Sequence, residues 1–172
     1  MSDPSLLQIV FYPDPILKKV AQPVDQISDL VPAVARRMLD LMRESGGVGL
    51  AAPQVGLSWR MFVANPTQEP GDDRVFINPV LSEPSRTTGE REEGCLSLPD
   101  VHGQIQRPEQ ITIEALDEHA NKFRLTNDDL PARVWQHEFD HLEGVLIIDR
   151  MTQIDRISNR RTLRQLEKVA SR

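Results

Sequence analysis

Apolar residues recur at three- and four-residue intervals from Leu30 to Met42 (Leu30, Val31, Val34, Ala35, Met38, Leu39, Leu41, Met42), which predicts a helix with a single apolar stripe. Ser28 or Asp29 can cap it, Pro32 falls in its first turn, and Gly46-Gly47 ends it. Met61–Ala64 and 75–79 read as strands, separated by a turn-rich stretch through Pro70-Gly71-Asp72-Asp73. Ile111, Ile113 and Ala115 alternate with Thr112 and Glu114, the pattern of a half-buried strand, and a turn at 117–121 returns it through Phe123-Arg124-Leu125. Asn127 or Asp128 then caps a second helix, opened by Leu130 and Pro131 and closed by Gly144. Val145–Ile148 is expected to leave it as a buried strand or strand-like exit, and 157–169 is helical by composition, with Leu163, Leu166 and Val169 on one side.

Elsewhere the pattern is weaker. The N-terminal stretch 9–17 carries two prolines and is expected to run extended over the body. Residues 85–93 are polar and charged, an expected exposed connection, and Pro99 and Pro108 bracket an expected loop containing His102 and Arg107. The small-residue stretch 47–56 is either an ordinary helix-to-strand loop or a place where glycine admits a close backbone or ligand and Gln54 donates a fixed hydrogen bond.

Composition narrows the class. A chain of 172 residues fits one domain, and 39% hydrophobic with 27% charged residues is the balance of a folded chain rather than a disordered one. No apolar run approaches a membrane span and the N-terminus lacks a secretion signal, so a cytoplasmic protein without a membrane partner is expected, an organellar origin remaining open. The single cysteine, Cys95, allows no internal disulfide and fits a reducing compartment. The net charge of −6 argues against a general DNA or RNA binder, but it is uneven: residues 156–172 hold six basic side chains against one acid. The chain is therefore read as a body, 1–155, and a basic C-terminal segment, 156–172, which is either a solvated helix face or a contact for an anionic partner.

The chemistry concentrates in Trp135-Gln136-His137-Glu138-Phe139-Asp140-His141. Histidines four apart share one helix face and can converge on one metal ion, with Glu138 beside the ion where a carboxylate takes a proton from water. The same pattern also occurs on solvated helices, so a third ligand is needed. Cys95, His102, His119 or a carboxylate could supply it; a thiolate has the highest affinity for a soft or borderline ion, but spacing alone does not choose.

Three separated motifs, Gly47-Val48-Gly49-Leu50-Ala51-Ala52-Pro53-Gln54, Glu93-Gly94-Cys95-Leu96-Ser97 and Gln136-His137-Glu138-Phe139-Asp140-His141, occur in the order found in peptide deformylases, and the chain resembles that family up to about Arg150. The N-terminal Pro13-Asp14-Pro15-Ile16-Leu17 is similar to the family's usual opening. The resemblance implies hydrolytic removal of the formyl group from the formylmethionyl N-terminus of new polypeptides. The fold expected with it is α+β, antiparallel sheets packed around a central helix that carries the His-Glu-x-x-His motif, with a further helix at the C-terminus. The resemblance further implies that Cys95, His137 and His141 bind one divalent metal, with ferrous iron preferred and zinc or another divalent ion able to bind, and that Glu138 moves the proton. Gln54 and the Leu96 N–H would face the formyl oxygen, and Gly49 would offer its backbone to the peptide. Val48, Arg107, Arg133 and Val134 map near the methionine pocket or the peptide groove. Similar enzymes suggest ribosome contact for the basic segment. A zinc endopeptidase shares His-Glu-x-x-His, but the chain lacks a clear third His or Glu after the motif; a catalytically idle homologue need not have kept every one of these residues.

Overall fold

The computed structural model describes residues 3–170. The predicted first helix is α1, Leu30–Glu44, with Val31, Val34, Ala35, Met38, Leu41 and Met42 buried along one stripe. Seven strands follow: β1 (Gly49–Ala51), β2 (Met61–Ala64), β3 (Arg74–Ser82), β4 (Thr88–Cys95), β5 (Leu98–Pro108), β6 (Gln110–Leu116) and β7 (Lys122–Asp128). The chain ends in α2 (Asp129–Leu142), a one-turn α3 (Ile147–Arg150) and α4 (Gln153–Ala170).

Five strands form one sheet in the order β1-β2-β3-β6-β7, antiparallel throughout the pairings. Its first strands are covered on both faces. Met61, Val63, Val75 and Ile77 pack with α1, whereas Phe62, Ala64 and Phe76 pack with Ala132, Val134, Trp135 and Leu142 of α2. A strand buried on both sides has no polar face to alternate, which is why Met-Phe-Val-Ala at 61–64 is apolar throughout. Phe76 is the hinge pin of this packing, stacked on Phe62 at 4.5 Å between ring centroids and meeting Trp135 of α2 at 5.9 Å.

β4 and β5 form a separate two-stranded hairpin with Cys95 opposite Leu98, so that only Leu96 and Ser97 turn the chain. This corrects two expectations, since 85–93 and 99–108 are mostly strand rather than connection and loop. The inward positions of the hairpin include Glu93 and Arg107, which neutralise one another, beside the apolar Val101 and Ile105, so alternation exists but its buried side carries charge as well as apolar residues. The small-residue stretch holds the short strand β1 followed by a 3-10 turn, Ala52–Val55. The expected strand at 145–148 is instead the entry to α3, where the Leu146 N–H donates to the Asp149 side chain. The N-terminal segment runs largely extended, with 3-10 turns at Pro4–Leu6 and Pro15–Lys18.

The position chosen to divide body from basic segment falls inside α4. Leu163 and Leu166 pack against a third apolar cluster made of Leu17, Leu98, Val101, Ile105, Leu146, Ile147 and Met151. Val169, expected on the same side, is exposed.

Truncating Phe76 to alanine removes the ring that joins α2 to the sheet and should cost about 3–5 kcal/mol. Urea denaturation of F76A measures it, and a loss below about 1 kcal/mol would contradict the packing described.

Candidate metal centre and peptide cavity

Cys95, His137 and His141 converge from two elements. Cys95 ends β4, and the two histidines lie one turn apart on α2. Their ligand atoms all lie within 4.8 Å of one another, with His141 Nε2 3.3 Å from His137 Nε2 and 3.4 Å from Cys95 Sγ. Ligands about 2.1 Å from a tetrahedral centre stand about 3.4 Å apart, so the spacing suits one small divalent ion. The donor chemistry agrees, since a thiolate with two imidazoles is a set that zinc or ferrous iron accepts.

His137 is aimed by Glu93. The Glu93 Oε2 atom lies 3.0 Å from His137 Nδ1, and an ionised carboxylate only accepts, so Nδ1 carries the hydrogen and Nε2 is turned to the other donors. Glu93 is in turn held by Arg107, whose Nε and second guanidinium nitrogen donate to its two oxygens at 2.7 and 2.9 Å, and by Arg133 at 2.7 Å. Burial works to raise the Glu93 carboxyl, but the hydrogen bonds from Arg107 and His137 and their charges hold it well below the usual carboxylate range. Burial opposes a proton on His137 as well, yet its bonds to Cys95 and Glu93 prevail and push it up to about 10. His141 is driven well below its ordinary value by burial and then by the neighbouring His137 charge.

Glu138 sits beside the three donors. Burial, above the opposing pull of His137, raises its carboxyl to about 7, and its Oε2 is buried without a hydrogen-bond partner. Gly49 is what leaves it room: a Cβ on Gly49 would lie 2.4 Å from Glu138 Oε1. Gln54, only 1% exposed, is locked by accepting from the Ala51 N–H at 2.9 Å, and its amide nitrogen points to Ser97 Oγ at 3.2 Å and Cys95 Sγ at 3.5 Å.

These groups open into a cavity of about 400 Å³. Gln54, Leu96, Val48, Gly49, Arg133, Val134, His137, Glu138 and Cys95 all line it, so ten of the eleven residues singled out from sequence meet at one place once His141, behind the cavity wall, is included. The eleventh, Arg107, does not line it. It is 3% exposed on the inward side of the hairpin and spends its guanidinium on Glu93 and, at 2.8 Å, on Asp140. Sequence reading passed over Glu93 and Asp140 as site residues, although both lie inside the quoted motifs, and weighed His102 only as a metal ligand, whereas it lines the cavity away from the three donors. His119 remains in the turn after β6, where its backbone N–H bonds Asp117.

Comparison with known proteins agrees with this geometry. Residues 6–157 match the sequence profile described as polypeptide deformylase. The chain is 43% identical over 148 residues to peptide deformylase 1B, chloroplastic, of Solanum lycopersicum, covering 85% of this chain and 53% of that protein. It is 42% identical over 164 residues to peptide deformylase 1B, chloroplastic/mitochondrial, of Arabidopsis thaliana, covering 60% of that protein. Thus the chain spans roughly half to three-fifths of those two plant relatives, and 98% of the peptide deformylase of Maricaulis maris, to which it is 42% identical. A crystal structure of the Plasmodium falciparum peptide deformylase superposes with a TM-score of 0.91 at 40% identity over 95% of this chain and 97% of that one. That from Legionella pneumophila gives 0.88 at 34% identity, over 96% and 98%. The chain belongs to the polypeptide deformylase family.

Proposed function

We propose that the chain hydrolyses the formyl group from the N-terminal formylmethionine of polypeptides, releasing formate. The observation that carries this reading is the placement of Glu138, buried with an unpartnered oxygen, against the Cys95–His137–His141 triangle, with the locked Gln54 amide alongside. The three donors would hold one divalent ion, which we take to be ferrous iron, zinc being chemically acceptable. When bound, such an ion supplies Lewis acidity, lowering the pKa of water from about 15.7 towards 7.

The protein's own groups do the rest. Glu138, poised near neutrality, accepts a proton at Oε2 from the attacking water and returns it to the departing amine. The negative charge that develops on the formyl oxygen is met by the Gln54 Nε2 amide, whose 3.5 Å contact to sulfur is weak enough to be taken over, and by the Leu96 N–H. Donors of this kind are worth about 3–4 kcal/mol each. Val48, Leu130, Val134 and the Arg133 stem offer an apolar wall for the methionine side chain. β1 is an edge strand of the sheet, so the Gly49 region can offer backbone groups to an extended peptide.

The exposed basic residues of α4, Arg160, Arg161 and Arg164 among them, support ribosome contact through phosphates. Arg172 of that segment lies outside the described residues. Among the described residues no helix is long and apolar enough to cross a membrane. A cytoplasmic setting is part of the proposal; the matched relatives include both bacterial and plant organellar proteins.

Formate release from a formyl-Met-Ala-Ser peptide should fall at least about 100-fold in E138Q. G49A, which forces the Glu138 carboxylate aside, should lose most of its kcat while keeping the wild-type metal content and circular dichroism; turnover equal to wild type in either variant contradicts the role given to Glu138. Protein purified without oxygen should contain about one iron per chain and lose activity on peroxide treatment, an outcome that zinc at full activity would reverse. Reversing Arg160, Arg161 and Arg164 to glutamate should abolish salt-sensitive cosedimentation with ribosomes, and retained binding would remove the basic face from the proposal.

A further inference from the structure

β5 pairs with β4 along one edge only, and its other edge faces α4. Backbone groups on that free edge are satisfied by side chains. The Asn159 amide of α4 accepts from the His102 N–H at 3.4 Å and donates to the His102 carbonyl at 2.7 Å, the double exchange that a third strand would make. One turn earlier, Asp155 Oδ2 accepts from the Gln104 N–H at 3.1 Å and is itself fixed by Thr152 Oγ1 at 2.6 Å. The spacing suits both elements, since four residues of helix rise about 6 Å and two residues of strand about 6.6 Å. Gly103 between them allows the approach: a Cβ there would lie 2.9 Å from the Met151 Cβ.

The strand held in this way carries His102 at the rim of the catalytic cavity. His102 stands opposite Gly94, the residue before Cys95, and its ring fills the space a side chain there would need: a Cβ on Gly94 would lie 2.9 Å from its Nδ1. Among the described residues its ring nitrogens have no hydrogen-bond partner within hydrogen-bonding distance, and it is exposed to the cavity mouth. An imidazole offers one donor and one acceptor, the complement of a peptide unit. A group at the rim lies beyond the reacting formyl and the methionine wall, where the polypeptide following methionine must leave.

We propose that His102 binds the peptide backbone of the substrate beyond its methionine, and that Asn159, acting through the His102 main chain, is the residue that positions it. This rests on the deformylase reading. The C-terminal helix is then part of the substrate groove, and recognition of a longer peptide depends on a residue beyond the end of the family match at 157.

The test compares formyl-Met-Ala-Ser with formyl-methionine amide, which lacks the downstream segment, in wild type, H102A, N159A, N159D and S158A. The ratio of kcat/KM for the long substrate over the short one should fall about three- to tenfold in H102A and N159A, the worth of one hydrogen bond, and the fall should lie in KM. N159D keeps the acceptor for the His102 N–H but loses the donor to its carbonyl, and should fall at least as far as N159A. Ser158, whose hydroxyl bonds only the Ile154 carbonyl of its own helix, should give the wild-type ratio when changed to alanine. Calorimetric affinities for Met-Ala-Ser and methionine amide should show the same narrowing, a readout independent of turnover. Equal losses on both substrates, or a fall confined to kcat, would reduce Asn159 to a structural role and overturn the proposal, as would an unchanged ratio in H102A. Absence of formate from either substrate with the wild type would overturn the deformylase reading instead, and the affinity gap would still decide the role of His102.

Discussion

The Glu93 carboxylate is buried beneath the centre with three cationic or proton-donating neighbours, Arg107, Arg133 and His137, and the site depends on that cluster. A carboxylate in such a place is tolerated only when its charge and lone pairs are met. Here they are met from two other elements, for Glu93 belongs to β4 while Arg107 belongs to β5, and Arg133 and His137 to α2. The cluster therefore fastens the hairpin to the helix at the level where Cys95 must meet His137 and His141. Removing one partner would leave an uncompensated buried charge, and the geometry of the thiolate relative to the imidazoles would relax with it. Asp140 extends the arrangement outward, joining Arg107 at 2.8 Å to Arg150 of α3 at 2.5 Å.

This division of labour explains why three candidate metal ligands from distant parts of the chain can be held by so few residues. α2 supplies two imidazoles at fixed pitch and needs only its rotation set, which Phe76 and Trp135 do from the apolar side. The hairpin supplies the thiolate and needs both its distance and its tilt set, which the Glu93 cluster does from the polar side. The Glu138 carboxylate lies between these two anchors, against Gly49.

The elements legible in the sequence were those whose burial is one-sided or complete. α1 and β6 carry a periodic apolar pattern, β2 is apolar throughout and α2 is marked by its ends and its motif, while the three motifs contain eight of the ten residues that meet at the cavity. The hairpin was not legible because its inward face is built from Glu93 and Arg107 as well as Val101 and Ile105. Such a pattern reads as an exposed loop to any scale that equates charge with solvent. Arg107, which the family resemblance mapped near the methionine pocket or the peptide groove, is instead held by two carboxylates 14 and 33 residues away, partners that no local pattern reveals. The bracing by Asn159 had no local signal, since it spans 57 residues and satisfies a backbone.

The covering of β5 also bears on solubility. An unpaired strand edge is a template for another chain, and β5 would be an 11-residue one. Asn159 and Asp155 occupy its free donors and acceptor in the manner of a strand that cannot itself be extended, because the next layer outward is a helix with a row of arginines. The C-terminal helix thus closes the free edge of the hairpin, and it places a positively charged outer face where an unpaired strand would otherwise stand.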